Sequence, residues 1–174
     1  IPAGVYGYAG KSMNEIISVT LHTPAVFDGE FVLYNAATEC FLARGGGYGT
    51  EAVADKYGVP VNLVTDATGV SSFQFVDNDQ YLFCNATGAA GMYTDNASTG
   101  WTIVPTEGGY NLKDARGNYF AKIDSGDFGY YIHTVEGSTN AAVWTLKTKA
   151  ERDAIIAAYP AENMNNVITA SGIT

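Results

Sequence analysis

Apolar and polar residues alternate in short runs along most of this chain, and the runs recur in a fixed order. Three stretches, Phe31–Leu42, Phe73–Leu82 and Tyr110–Phe120, each hold an alternating run, a polar turn and a returning run that ends on two apolar residues. Period-two alternation over four to eight residues predicts half-buried β-strands, and the turn between each pair makes it a hairpin. The turns are Ala36–Glu39, which follows Asn35, and Asp77–Asp79 and Asp114–Gly117, the last two rich in the Asn, Asp and Gly that bend a backbone locally. Each copy continues into a glycine- and tyrosine-containing segment: Gly47–Thr50, Gly91–Thr94 and Gly129–Ile132. Each closes on a short apolar strand, at Val61–Val64, Trp101–Val104 and Trp144–Leu146.

The repeat is close to 40 residues. Leu42, Leu82 and Phe120 stand 40 and 38 positions apart, and Val61, Trp101 and Trp144 stand 40 and 43 apart. Three β-rich copies are too few for a solenoid, which needs stacked neighbours and caps. Closure into a barrel removes open strand edges better. Three four-stranded units about a pseudo-three-fold axis make a β-trefoil, so the expected class is all-β. One helix is expected after it. Thr148 and Glu151 form a capping-box pattern and Pro160 stops the run, with Ala154, Ile155, Ala158 and Tyr159 as its apolar stripe. The expected organisation is an N-terminal extension at 1–28, with a plausible strand at Ile16–Leu21, and a trefoil at 29–147. The trefoil divides into repeats 29–66, 71–106 and 108–147, and a helix and polar tail occupy 148–174.

The first opening, Val32-Leu-Tyr34-Asn35 through Cys40-Phe-Leu42-Ala43-Arg-Gly45 to Tyr48-Gly49-Thr50, resembles ricin-B-type β-trefoil domains, especially the divergent ones of secreted bacterial multidomain proteins. The likeness covers roughly residues 29 to 160, and the Thr-x-x-Glu-Arg start of the last helix is similar to one that closes such domains before a further domain. It implies a lectin-like, carbohydrate-binding module, secreted or at the cell surface, with neighbouring domains in the same polypeptide. The chain departs from the lectin pattern at Gln-x-Trp: Thr99 and Ala142 precede the two tryptophans, and Val61 replaces the third. That departure argues against galactose-type recognition in particular.

Charge narrows the partners. A formal net charge of −9, with only nine Lys and Arg and no cluster among them, is wrong for a nucleic-acid or anionic-membrane surface. No apolar run approaches the ~20 residues of a membrane span, and no basic, apolar leader opens the chain, which reads as mature or trimmed. Cys40 and Cys84 occupy equivalent strands of different repeats, so two buried free thiols are expected over a disulfide. No Cys/His cluster suggests zinc, and Asp77-Asn78-Asp79 reads as a turn before it reads as a calcium loop. No cofactor is expected.

Catalysis finds no support. His22 and His133 are the only histidines, and neither stands in a nucleophile, zinc-protease or phosphate-loop spacing. Gly45–Gly47 lacks the Lys-Ser/Thr that a phosphate cradle needs, and the Asp124/Asp127 pair is too local for glycoside hydrolysis. Sugar recognition fits better. It needs an aromatic ring against a pyranose face and planar polar groups for the hydroxyls. The segments after the hairpins supply Tyr48 with Asp55, Tyr93 with Asp95 and Asn96, and Tyr130 with His133. The competing reading makes those tyrosines barrel-covering scaffold, and it gives Trp101 and Trp144 to the core. Two other functions share the fold: a protease inhibitor working through a loop at Asp124–Gly129 or Gly45–Gly49, and a structural spacer. Matched sugar sites, one protruding loop, or no site would distinguish them.

Overall fold

The structure, a computed structural model, describes residues 27–45, 49–84, 92–97, 100–122 and 132–160, with only the backbone at 92, 93, 95 and 96. The first repeat forms β1 (Asp28–Asn35), β2 (Cys40–Gly45), β3 (Glu51–Asp55) and β4 (Val61–Thr65). The second forms β5 (Val70–Phe75), β6 (Tyr81–Cys84), β7 (Met92–Asn96) and β8 (Trp101–Thr106). The third forms β9 (Gly109–Lys113), β10 (Tyr119–Lys122), β11 (Ile132–Val135) and β12 (Thr145–Lys147). The expected strand at Ile16–Leu21 and the tail beyond Pro160 lie outside the described residues.

First and fourth strands of each repeat make a six-stranded ring. β1 pairs β4, β4 pairs β5, β5 pairs β8, β8 pairs β9, and β12 returns to β1, all antiparallel. Between β9 and β12 a two-bond bridge closes the seam: Tyr110 N donates to Trp144 O at 2.8 Å and Trp144 N to Tyr110 O at 2.9 Å. Closure leaves the ring without a free edge, which is why three repeats suffice. Second and third strands form three hairpins, β2–β3, β6–β7 and β10–β11, and β3 meets β7 at Glu51 and Tyr93. The architecture is a β-trefoil.

Its core is built from equivalent positions. Leu33, Phe73 and Leu112 come from the first strands, Leu42, Leu82 and Phe120 from the hairpins, and Val61, Trp101 and Trp144 from the closing strands, all buried. Burying such side chains is the main favourable term in folding. The tryptophans also carry a hydrogen-bonding duty. Trp101 Nε1 donates to Leu82 O at 3.0 Å and Trp144 Nε1 to Phe120 O at 2.9 Å, so each indole satisfies the hairpin carbonyl of its own repeat. Val61 has no such donor. In the first repeat the equivalent carbonyl, Leu42 O, instead accepts the backbone N–H of Val59 at 2.9 Å. A main-chain donor has replaced a side-chain one, and the Leu42 carbonyl keeps its partner.

That replacement depends on Gly58. The Asp55 carboxylate caps the turn, its Oδ1 accepting Tyr57 N at 2.8 Å and Gly58 N at 2.6 Å. Gly58 sits at φ +68°, where a Cβ would stand 2.6 Å from Phe41 Cβ and 2.7 Å from Val32 Cγ1. Gly58→Ala therefore combines left-handed backbone strain with a clash against β1 and β2, and should cost about 2 kcal/mol, read as a lower urea midpoint at unchanged m-value.

The helix follows as expected: α1 (Lys149–Ala157), with both halves of the capping box formed by Thr148 and Glu151. Its stripe needs correction. Ala154 and Ala158 are exposed, whereas Ile155, Ile156 and Tyr159 are half-buried, and no helix residue is fully buried. The 3.6-residue period rotates Ile156 toward the barrel in place of Ala154. The backbone and side-chain donors of Thr148 hold the Glu151 carboxyl below its ordinary value. A depressed carboxylate contributes stability above its unfolded pKa, here near 4.5, and loses it as pH falls through the folded value. The amides of the first helical turn should accordingly exchange faster below about pH 4.5, and Thr148→Ala should produce that fraying already at neutral pH.

Candidate functional site

The residue two positions after each hairpin core residue carries different chemistry in each repeat: Arg44 after Leu42, Cys84 after Leu82 and Lys122 after Phe120. The three-fold arrangement sets each against the turn and third strand of the next repeat. Three equivalent junctions result, and their contents decide where a ligand could enter.

At the first junction Arg44 Nη1 pairs with Asp77 Oδ2 at 2.8 Å, and Arg44 Nε donates to Thr94 Oγ1 at 3.2 Å. Thr94 is fully buried and donates in turn to Thr50 O at 3.0 Å. Asn78 completes the turn, its Oδ1 accepting Gln80 N and its Nδ2 donating to Thr94 O. Asp77 and Asn78 of the turn therefore spend their side chains on the fold.

Another polar cluster occupies the second junction. Arg116 Nη2 lies 2.8 Å from Asp114 Oδ2, 3.1 Å from Cys84 Sγ and 3.3 Å from Thr134 Oγ1. Burial works to raise the Asp114 carboxyl, but hydrogen bonds from Arg116 and the Asn118 backbone overcome it and hold it below its ordinary value. Burial pushes the Cys84 thiol up, so it stays protonated at neutral pH. Cys40 and Cys84 are not joined to each other in a disulfide, as expected. Cys40 is buried, but Cys84 is only partly so, because its strand end faces this junction rather than the barrel axis. A small cavity of about 130 Å³ remains beside Cys84, Trp101 and Asp114.

The third junction is open. Lys122 of β10 faces the turn residues Thr38 and Glu39 and the end of β3, across a cavity of about 240 Å³. Ala54 explains the space. It lies opposite Leu42 in the hairpin register, as Thr134 lies opposite Phe120, while Thr94 sits beside the bulged register near Leu82. Two junctions have a threonine there, and the open one has a methyl group. The lining mixes two carboxylates, Glu39 and Asp55, with two ammonium groups, Lys56 and Lys122, around the Thr38 hydroxyl and the Cys40 thiol. Thr38 Oγ1 and Cys40 Sγ are 2.9 Å apart, and burial raises the thiol, so the floor is neutral and unreactive.

Of the residues singled out in the sequence, Asp55 lines this pocket and also caps the Gly58 turn. Tyr48 and Tyr130 lie outside the described residues. Tyr93, Asp95 and Asn96 lie on β7 with only their backbone described. His133 stands on β11, half-buried opposite Ala121 in the hairpin cap; burial pushes its imidazole below the ordinary value while the Glu51 charge opposes that. The inhibitor-loop segments Gly45–Gly49 and Asp124–Gly129 fall mostly outside the described residues. Sequence reasoning missed Thr38, Glu39, Lys56 and Lys122. The available signal was the asymmetry Ala54, Thr94, Thr134 across the repeats, since a small residue at a site that elsewhere carries a larger one leaves room.

No protein-family model matches the chain, and no curated protein sequence matches it. Solved structures do. A Culex quiquefasciatus salivary protein of the Cysteine and Tryptophan-Rich family superposes with TM-score 0.58 at 11% identity, over 72% of this chain and 97% of that one. The Rhizoctonia solani agglutinin gives 0.54 at 12% identity, over 72% and 98%. The Haemophilus ducreyi cytolethal distending toxin gives 0.52 at 12% identity, over 68% and 82%. At these identities the likeness is one of fold, and that fold is the β-trefoil.

Proposed function

We propose that this chain is a non-catalytic carbohydrate-binding module that takes one sugar residue in the open junction between its first and third repeats. The observation carrying the reading is that the junction between the third and first repeats keeps a polar-ringed cavity of about 240 Å³, whereas the second keeps about 130 Å³ beside an internally paired cluster and Arg44 bridges the first to Asp77. Its volume of about 240 Å³ suits a single ring; it corresponds to roughly eight waters at ~30 Å³ each. Equal numbers of carboxylates and ammonium groups match a neutral polyol better than an ion, since hydroxyls both donate and accept. The fold of an agglutinin supports the class, and secretion and membership of a larger polypeptide belong to the same proposal. Among the described residues no helix is long and apolar enough to cross a membrane.

A glycan and polysaccharide array probed with the whole chain tests this, repeated with Asp55→Asn. The asparagine keeps an Oδ1 acceptor for the Gly58 turn but removes the charge, so the variant should fold and bind its selected sugar about tenfold more weakly, the effect of losing one charge-assisted hydrogen bond. Silence of the wild-type chain across the array would sink the reading. Loss confined to Tyr48→Ala or Tyr93→Ala would move the site to the other loops.

A further inference from the structure

The C-terminal helix ends against one lining residue of the same pocket, Lys56. Tyr159, just past the end of α1, places its ring under the ammonium group of Lys56, 4.9 Å from Nζ to the ring centroid. Lys56 lines the pocket. The Tyr159 hydroxyl is buried and has no hydrogen-bond partner, one of two such side-chain atoms among the described residues. Burial pushes the phenol's ionisation up, and the charges of Tyr34, Glu39, Cys40 and Asp55 push it further, which puts the hydroxyl within their field. Glu39, Cys40, Asp55 and Lys56 are all pocket residues.

An unpartnered buried hydroxyl is a cost that folded proteins rarely leave standing without a use. Phenylalanine would give the same ring, the same packing and the same contact with Lys56 without it. Resting on the sugar-binding reading above, we infer that Tyr159 is a ligand-binding residue beside the pocket, a hydroxyl of the bound sugar supplying the hydrogen-bond partner that the phenol lacks among the described residues. The arrangement supplies the aromatic element that sugar recognition needs and that the pocket's own strands lack, since Ala54 stands on β3 where a ring could have been. Access requires only a turn of the phenol out of its sealed seat. A helix with no fully buried side chain can yield that much. The charged groups acting on the phenol and its ring are Glu39 from the β1–β2 turn and Asp55 and Lys56 from the end of β3.

Tyr159→Phe in the full chain separates this role from a structural one, because the two effects have opposite signs. Thermal unfolding should occur at higher temperature, since the orphaned oxygen is gone. Affinity for the array-selected sugar, measured by titration calorimetry, should fall about tenfold, the worth of one satisfied hydrogen bond to a buried group. Higher stability with unchanged affinity, while Asp55→Asn still weakens binding, overturns this inference and leaves the pocket standing. Unchanged affinity in both variants overturns the pocket as well. Lower stability of Tyr159→Phe would show that the hydroxyl already has a structural partner, and would also overturn the inference.

Discussion

Trp144→Ala should unfold at a far lower urea concentration than the parent chain, with a loss of about 4 kcal/mol. Two contributions set that size. The indole is fully buried, stacked on Phe120 at a ring-centroid distance of 4.9 Å, so truncation opens a large cavity in the middle of the barrel. Its Nε1 also leaves Phe120 O without a donor, and an unpaired buried carbonyl is itself worth about 1–3 kcal/mol. Against a total stability of ~5–15 kcal/mol for a domain, the variant should be marginal at 37 °C. Its position sharpens the expectation, because the backbone of Trp144 is also the seam between β9 and β12. Val61, its counterpart in the first repeat, should behave differently. Val61→Ala removes two methyl groups and no hydrogen bond, since Val59 N holds the Leu42 carbonyl, so about 1–2 kcal/mol is expected. Equal losses at the two positions would refute the idea that the repeats satisfy the same carbonyl by different means.

Ala54→Thr is expected to abolish ligand binding, by about a hundredfold, while leaving the fold intact. The substitution gives the open junction the residue that the closed ones carry as Thr94 and Thr134, so the hairpin backbone already accommodates it. A hydroxyl and a methyl would then project into the 240 Å³ cavity beside Thr38 and Cys40. An intrusion of this size in a fitted pocket costs ~1–3 kcal/mol, and a displaced sugar hydroxyl adds its own unpaired group. Titration calorimetry with the array-selected sugar reads the loss, and circular dichroism with urea unfolding checks the fold. Undiminished binding by a folded Ala54→Thr would place the sugar somewhere other than this junction.

Much of the fold was legible in the sequence because barrel strands announce themselves by alternation. Leu42, Leu82 and Phe120, with Val61, Trp101 and Trp144, marked the repeat length and proved to be the barrel's buried layers. The capping box from Thr148 to Glu151 was equally readable, being a local pattern within one turn. The helix's docking face was less so, because Ala154 and Ile156 are both apolar and only contact with β1 and β12 selects between them. The site was harder still. Asp55 was picked out for its polar side chain near a tyrosine, but Lys122 is nearly 70 residues away in sequence and joins it only when the third repeat closes against the first.

By itself the sequence determined which residues face inward, where the chain turns, and that three similar units share one core, because these follow from side-chain polarity and local backbone preference. Only the tertiary structure decided that Arg44, Cys84 and Lys122 occupy equivalent junctions, that two of these are spanned by salt bridges and threonines, and that the third keeps the larger cavity. The physical reason is that a cavity is a missing contact between segments distant in the chain. No periodicity records the absence of two atoms at Ala54, and no local rule places the ring of Tyr159 against Lys56.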